Sequence, residues 1–205
     1  MQIRDVVALM SFNETSLEQN SYRKQINSVY GAVNVGWKHL VYLDATLRGD
    51  QSSTLPIGNN VYVYPSFSGS FVFSELLKQS DLMPYGKFRL SWAQVGSDTD
   101  PYQLGLVYSK SKFTYPGYTI GYINNSTMPN KNLKPTKTNS FELGLEMKFL
   151  KNRIGLDFTY YTQNSKNQIM GMASSWTSGY NYRLINAGEI ENKGIEIALN
   201  TRPIE

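Results

Sequence analysis

The chain has 205 residues, of which 18% are charged; its formal net charge is +4 and it contains no cysteine. This length is enough for one domain with a buried core, whereas the absence of cysteine excludes a disulfide framework and a cysteine-based metal site. The charge is spread thinly and no basic stripe is interleaved with aromatic residues, so we predict no nucleic-acid partner. No apolar run reaches the roughly eighteen residues of a transmembrane helix.

Three stretches in the first part of the chain alternate apolar and polar residues, which is the period-two pattern of a β-strand. They cover residues 22–37, 39–50 and 61–73. So few residues separate the first two stretches that we predict a hairpin, and turn-forming residues fill 51–60. Pro65 predicts a strand start, a sheet edge or a bulge, because proline cannot donate a ladder hydrogen bond.

One helical segment is predicted, at residues 74–83. Ser74 can cap its N-terminus, Glu75 lies in its first turn, and Pro84 follows its end. The helix therefore makes a compact connection to a fourth alternating strand, which is predicted at 85–96.

The clearest strand pair is a predicted hairpin at 139–164. One face of each half is almost purely apolar and aromatic, and the other carries charges and glycines. Each half alternates for about ten residues, close to the length with which a tilted strand crosses a bilayer, whereas strands in soluble proteins average about five or six. Long connections flank the hairpin at 97–138 and 165–192, and a last strand is predicted at 193–201.

These elements predict an all-β chain, an antiparallel up-and-down meander of about seven long strands. Two structures fit the hairpin: a transmembrane barrel with lipid outside and a wet lumen inside, or a soluble sandwich or barrel with one packed face. The connections favour the membrane barrel. The first and fifth are short turns and the third is a compact helical link, whereas the second, fourth and sixth are open and rich in Gly, Asn and Tyr, so the long loops lie at one end. Bacterial outer-membrane barrels sort their loops in this way.

Several segments resemble the late barrel of TonB-linked outer-membrane transporters of the SusC/RagA type from Bacteroidetes. The resemblance covers 133–169 and 186–200, within which 133–145 and 186–197 are the most specific. The segments 42–53, 64–75 and 87–98 fall in the order expected for that barrel. The resemblance implies that the chain forms a partial wall of a 22-stranded transmembrane β-barrel in the outer membrane of a Gram-negative, Bacteroidetes-like cell.

The same resemblance implies partners and a cargo. Such a barrel is filled by a plug, receives energy through TonB and is covered by a SusD-like surface lipoprotein. Its cargo is a large nutrient, an oligosaccharide or a peptide. We therefore expect this chain to meet the lipid bilayer, the remainder of its own barrel and plug, a SusD-like lipoprotein and, through the missing plug, TonB. We expect residues 1–205 to form a single partial β-barrel domain without plug or N-terminal domains.

The beginning of the chain also bears on this expectation. Its short apolar run at 6–10 follows Asp5, which does not suit a secretory signal. Because an outer-membrane protein needs such a signal, we expect Met1 not to be the native start. A wall segment with open edges leaves backbone groups unpaired, so we also expect it to need the rest of its barrel for stability.

Motifs for catalysis or metal binding are weak, and we predict no enzyme, metal site or cofactor. Glu142 and Glu146 share a strand face, as wet-face glutamates of a barrel wall do, although a glycosidase also needs paired carboxylates. His39 is the only histidine and lies at a hairpin turn, which excludes a histidine-cluster metal site. Asp98 and Asp100 suggest a calcium loop only faintly, because no glutamate follows at the required spacing.

Aromatic residues of the long connections are the candidate ligand-binding residues. Trp176, Tyr180 and Tyr182 offer flat apolar faces that suit the C–H surface of a pyranose ring, although ordinary packing against a neighbouring protein is the commoner reason for such residues in a loop. Further tyrosines of the first long connection suit either cargo or the lid lipoprotein: Tyr102, Tyr108, Tyr115 and Tyr118. The alternative function is a soluble all-β carbohydrate-binding module that uses the same loops.

Overall fold

The computed structural model describes residues 21–77, 82–123 and 126–202, and this part of the chain is almost entirely β-structure. Its strands are β1 (Ile26–Trp37), β2 (Val41–Ser52), β3 (Val61–Phe71), β4 (Tyr85–Ser97), β5 (Tyr108–Tyr115), β6 (Tyr118–Ile123), β7 (Thr127–Met128), β8 (Thr136–Phe149), β9 (Ile154–Lys166), β10 (Ile169–Ala173), β11 (Tyr182–Asn186) and β12 (Glu189–Thr201). Seven of them form the main sheet in the order β1-β2-β3-β4-β8-β9-β12. Every pair in this sheet is antiparallel, so the predicted seven-stranded meander is confirmed.

The main-sheet strands are long, from 11 residues in β3 to 14 in β8. A tilted strand of about 9 to 11 residues is enough to cross a bilayer. The lengths predicted from the alternation are therefore confirmed.

The register sorts the side chains into two opposite faces. One row crosses all seven strands on the apolar face: Val35, Leu43, Gly69, Leu90, Leu143, Tyr160 and Ile195. The neighbouring row crosses them on the polar face: Asn34, Asp44, Ser68, Ser91, Glu142, Tyr161 and Gly194. Because a one-residue slip of any strand would exchange its two faces, this register is fixed by the pattern of the sequence.

The apolar face is uncovered in the described residues. Val35 is 55% exposed and Ile195 61% exposed, and the stacked rings of Phe67 and Trp92 lie between them on the same face. A soluble sandwich would bury such rows against a second layer, and an apolar surface of this extent in water promotes aggregation. Among the described residues, no helix is long and apolar enough to cross a bilayer.

The polar face is cross-linked between strands. Asp44 accepts hydrogen bonds from Asn34 and from Ser68, the latter over 3.1 Å. Farther along the sheet, Arg89 on β4 reaches across β8 to Asp157 on β9, with Nη2 and Oδ1 2.7 Å apart. A Cβ atom at position 144, which lies between them, would come within 2.8 Å of Arg89 Nε, so the crossing requires glycine there.

The two longest connections lie at the same end of the main sheet, as predicted, although 72–84 at the other end is longer than 53–60. Residues 38–40, 72–84 and 150–153 connect strands at one end of the main sheet, which we call the turn end. The connections at the opposite end, the loop end, are 53–60, 98–135 and 167–188. Left-handed backbone at Lys38 and His39 makes the first hairpin turn tight.

Two boundaries differ from the prediction, and the predicted irregularity at Pro65 is present. The helix predicted at 74–83 is a single 3₁₀ turn, Phe73–Glu75, because Ser74 lies inside it and no side chain caps its start; residues 78–81 of that prediction lie outside the described part. β12 begins at Glu189 and not at 193, since Glu189–Asn192 extends the ladder to β9 with polar residues that hide the alternation. Pro65 marks the point where pairing of β3 with β4 stops, in agreement with the predicted irregularity.

Leu90 and Ser91 are adjacent residues of β4 that point to opposite faces of the sheet at the same depth in the bilayer. Substituting each in turn therefore compares the two faces. An arginine in place of Leu90 would enter the apolar face, which costs about 2–4 kcal/mol at the middle of a bilayer, whereas an arginine in place of Ser91 would face the polar side opposite Glu142. We expect Leu90→Arg to lower the amount of folded protein in the outer-membrane fraction and Ser91→Arg to leave it nearly unchanged. Equal loss in both variants would argue against a lipid-facing apolar row.

Candidate functional site

The three loop-end connections fold together over the polar face of the main sheet. Leu55, Tyr62, Leu133 and Leu184 form a buried cluster, which we call the loop core. Its main-sheet residue, Tyr62, and the adjoining Tyr64 share the polar face of β3 with Ser66 and Ser68, and Arg48 on β2 lies over the Tyr64 ring. On the opposite face, Val61 and Val63 stay exposed. The loops therefore cover the polar side of the wall and leave the apolar side free.

A carboxylate joins the ends of three strands beside the loop core. Asp98, just after β4, accepts from Lys24 Nζ over 2.6 Å at Oδ1, and from the hydroxyls of Ser52 and Thr54 at Oδ2. Its side chain is only 10% exposed. Burial raises the pKa of Asp98, but the hydrogen bonds from Lys24, Ser52 and Thr54 and the charge of Lys24 outweigh it, so the pKa lies below its ordinary value. The arrangement thus holds an ionised Asp98 and not a calcium ligand set.

Asn186 joins the two longest connections. Its Nδ2 donates to the backbone oxygens of Lys134 and Asn167, over 2.7 and 2.9 Å, and its Oδ1 accepts from Lys134 N over 2.8 Å. A carboxamide can satisfy backbone donors and acceptors at once, so one side chain fixes the connection 98–135 to the connection 167–188. Asn186 could not be predicted as a contact residue, because nothing in the local sequence marks a contact over 52 positions.

The last connection carries a small sheet of order β10-β11-β7. β11 pairs antiparallel with β10 and parallel with β7, and Ser126 O accepts from Asn181 N and Tyr182 N at its edge. Residues Ile169 and Leu184 on one face of this sheet pack into the loop core. We call it the loop sheet, and its inner face is the one that covers the wall.

The predicted ligand-binding residues lie at the tip of the loop sheet. Trp176 begins the 3₁₀ turn Trp176–Ser178, which Ser175 caps, and its side chain is 82% exposed. Tyr180 is half-buried, and Tyr182 starts β11 with its ring near Gly171. In the described part of the chain, ring contacts join other pairs, so these three residues do not form one stacked platform.

The tyrosines of the first long connection are also dispersed. The Tyr102 hydroxyl accepts from Arg23 N over 3.2 Å and its ring lies 6.4 Å from that of Tyr22, so this residue fixes the approach to β1. Tyr108 and Tyr118 lie on the β5–β6 hairpin and are exposed. The side chain of Tyr115 lies outside the described residues.

The remaining candidates lie on the wall. Glu142 pairs across the polar face with Ser91 and Tyr161, and Glu146 lies 3.8 Å from the Lys148 ammonium. His39 lies in the turn between β1 and β2 at the opposite end of the sheet. Within residues 21–77, 82–123 and 126–202, no three acidic or histidine side chains gather as metal ligands.

Comparison with known proteins gives a family match along nearly the whole chain. Residues 4–202 match the family described as TonB dependent receptor-like, beta-barrel. TonB-dependent receptor P26 of Formosa agariphila is 28% identical over 180 residues, which are 86% of this chain and 18% of that protein. TonB-dependent receptor SusC of Bacteroides thetaiotaomicron is 27% identical over 197 residues, 91% of this chain and 20% of SusC. The chain thus spans about a fifth of the length of these relatives.

Solved structures show the same fold. The RagAB peptide importer in the closed-closed state superposes with a TM-score of 0.81 at 21% identity, over 88% of this chain and 20% of that one. The siderophore receptor PirA of Pseudomonas aeruginosa superposes with a TM-score of 0.59 at 22% identity, over 86% of this chain and 31% of that one. The sheet is therefore that of a receptor barrel, here an open part of one.

The ionised Asp98 makes the loop end sensitive to acid. Because its pKa is lowered on folding, its stabilising effect is complete at pH values above the ordinary aspartate pKa and is lost as the pH falls through the lower folded value. Asp98→Asn at neutral pH removes the same interaction. We expect amide hydrogen exchange of the loop-end segments, corrected for intrinsic rates, to rise about fivefold, or about 1 kcal/mol.

Asp100→Asn is the matched control, since Asp100 is exposed and pairs with no basic group of the described residues. It makes the same charge change two positions away and should leave the exchange unchanged. Equal effects of the two substitutions would show that net charge, and not the Asp98 hydrogen bonds, stabilises the loop end.

Proposed function

This chain belongs to the family of TonB dependent receptor-like β-barrels, and we propose that it supplies wall and outer loops to an outer-membrane transporter that imports oligosaccharides or peptides. The resemblance to SusC/RagA-type barrels is confirmed by the family match and by the SusC relative. One observation carries the proposal: an uncovered apolar row and a polar row cross all seven strands side by side. Lipid satisfies the first row and a water-filled lumen the second.

The two edge strands of the main sheet indicate which further strands are needed to close the barrel. In the described residues β1 pairs only with β2, and β12 only with β9. Both edge strands run from the loop end to the turn end, so each requires a neighbour running the other way. A second copy in the same membrane orientation would offer a parallel strand, and an unpaired edge in lipid costs several kcal/mol per backbone group. The wall therefore closes with an odd number of further strands, from the remainder of the same barrel.

We propose that residues 1–205 form one partial barrel domain of this larger protein. Its plug would then lie against the polar face and take energy through TonB, and a SusD-like surface lipoprotein would cover the loop end. The relatives named TonB-dependent receptors support this assignment, as does the loop end itself, where long connections pack as one body. The site of action is accordingly the outer membrane of a Gram-negative cell.

Cargo contact is proposed for the tip of the loop sheet. Trp176 is the strongest candidate because its ring is almost fully exposed on a capped, rigid turn. Tyr180 and Tyr182 follow it in sequence and would meet a long cargo at separate points. Flat apolar rings suit the C–H faces of sugars. Exposed Tyr108 and Tyr118 on the neighbouring hairpin suit the covering lipoprotein or the cargo.

A catalytic role is not proposed, since the family is one of transport receptors and the acidic residues Glu142 and Glu146 belong to the cross-linked wall. A soluble carbohydrate-binding module would use the same rings. That alternative requires a cover for the apolar row, and the uncovered side chains of Val35 and Ile195 count against it.

The function is tested in the native host by deleting the receptor that contains this segment. Growth on one oligosaccharide or peptide mixture as the sole carbon source should be lost and should return with the intact gene. A proton uncoupler should abolish uptake of labelled cargo while leaving surface binding in place. Deletion that changes growth on none of the tested oligosaccharides and peptides would overturn the proposal.

The cargo role of Trp176 is tested by binding to the purified receptor in detergent. We expect Trp176→Ala to weaken binding of the imported oligosaccharide about tenfold, or about 1.4 kcal/mol, because it removes the exposed ring. Trp176→Phe, which keeps a flat ring, should retain most of the affinity. Trp37→Ala at the turn end is the control for loss of an exposed tryptophan, and a loss of equal size there would refute a specific role of Trp176.

A further inference from the structure

The outer face of the loop sheet is rich in methionine. The register of its three strands places Met172 opposite Arg183, with Met128 beyond it, and Met170 opposite Ile185. We call Met128, Met170, Met172, Arg183 and Ile185 the methionine face. The three methionine side chains are between 40% and 45% exposed.

The position of the loop sheet sets the direction of this face. Ile169 and Leu184, on the inner face, pack into the loop core together with Tyr62 and Tyr64 of the wall. Successive residues of a strand point to opposite sides, so the methionine face points away from the wall. Since Tyr62 and Tyr64 belong to the polar face of β3, which lines the lumen, the methionine face is directed towards the axis of the barrel mouth.

The chemistry of the face suits apolar side chains. Methionine is unbranched and polarizable, so it adapts to apolar groups of different shape and recurs on surfaces that bind varied peptides. The five residues of the face include no aromatic ring on which a pyranose could stack. A sugar would leave its hydroxyl groups against thioethers without hydrogen-bond partners, which costs affinity.

The charges on and around the methionine face indicate a second property of its ligand, which is negative charge. Arg183 is exposed at the centre of the face and forms no ion pair with the described residues. The two longest connections also carry exposed Lys110, Lys131 and Lys134, whereas their carboxylates are Asp100 and Asp98, the latter already paired with Lys24. These two connections therefore have a surplus of positive charge, which favours an anionic occupant beside them.

We propose that the methionine face binds peptides that carry apolar side chains and carboxylates on their way into the barrel. This proposal rests on the proposed function and names its cargo class. The apolar side chains contact the thioethers and Ile185, while a carboxylate pairs with the Arg183 guanidinium in the fork geometry that arginine provides. The lipoprotein would approach from above the mouth, whereas this face is turned across it.

The first experiment maps the contact on the complete receptor in detergent. The probe is a short synthetic peptide of alternating leucine and glutamate. Hydrogen peroxide oxidises exposed methionines, and mass spectrometry measures each rate. We expect the peptide to slow oxidation of Met128, Met170 and Met172 severalfold and to leave Met147, on the apolar face of β8, unchanged. Oxidation of the three methionines at the same rate with bound peptide would overturn the proposal.

The second experiment measures affinity for the same probe. Arg183→Gln should weaken binding about fivefold and reduce its salt dependence, because one charge pair is lost. Replacing Met170 and Met172 together by glutamine should weaken it by a similar factor, and leucine at both positions should recover most of the loss, since leucine keeps the apolar volume. Arg153→Gln, the same charge change at the turn end, should have no effect.

Further probes separate this proposal from the proposed function. A leucine–lysine peptide of the same length should bind at least tenfold more weakly than the acidic one. Binding of neutral or uronate-containing oligosaccharides without any binding of the acidic peptide would overturn the peptide proposal and leave the transporter intact. Peptide binding that is unchanged in the Arg183 and methionine variants would show that the cargo class is right and the face is wrong. Loss of import on gene deletion tests the transporter itself.

Discussion

Each strand of the main sheet has to satisfy two solvents at once, and the structure depends on this constraint. Side chains alternate between the faces of a strand, so a strand between lipid and water needs mainly apolar residues at every second position within the bilayer. The row from Val35 to Ile195 and its polar neighbour meet that demand in all seven strands. Register, strand length and sorted loops follow from it, because a slipped or shortened strand would place charge in lipid.

This constraint explains which parts of the fold can be predicted from the sequence. Alternation is a local property, so the long strands, their order along the chain and the hairpin of β8 and β9 are evident before any coordinates. The predicted strand boundaries are wrong where apolar and polar residues no longer alternate clearly. Glu189–Asn192 extends β12 with mostly polar residues that only the β9 ladder fixes. The segment after Phe73 has the composition of a helix, but its first turn has no cap and remains 3₁₀.

The loop end is less predictable, because its structure depends on contacts between distant residues. Asp98 accepts a hydrogen bond from Lys24, 74 positions away in the sequence, and Asn186 accepts one from the backbone of Lys134, 52 positions away. Trp176, Tyr180 and Tyr182 are marked by residue type alone, and they remain candidates. Nothing in the sequence marks Met170 and Met172 as a site, since the face they share with Arg183 exists only once β7, β10 and β11 pair.

The direction of the two edge strands has a consequence for how such walls evolve. β1 and β12 run in the same direction, and neighbouring strands of an antiparallel barrel must alternate in direction. Inserting or losing a single strand next to either edge strand would therefore place two parallel strands side by side. Strands must therefore be gained or lost in pairs, as whole β-hairpins that include their connecting turn. A segment with an odd number of strands, such as this one, can be exchanged between relatives only for another segment with an odd number of strands. Whether the strand number is odd or even is thus a rule for recombining these proteins.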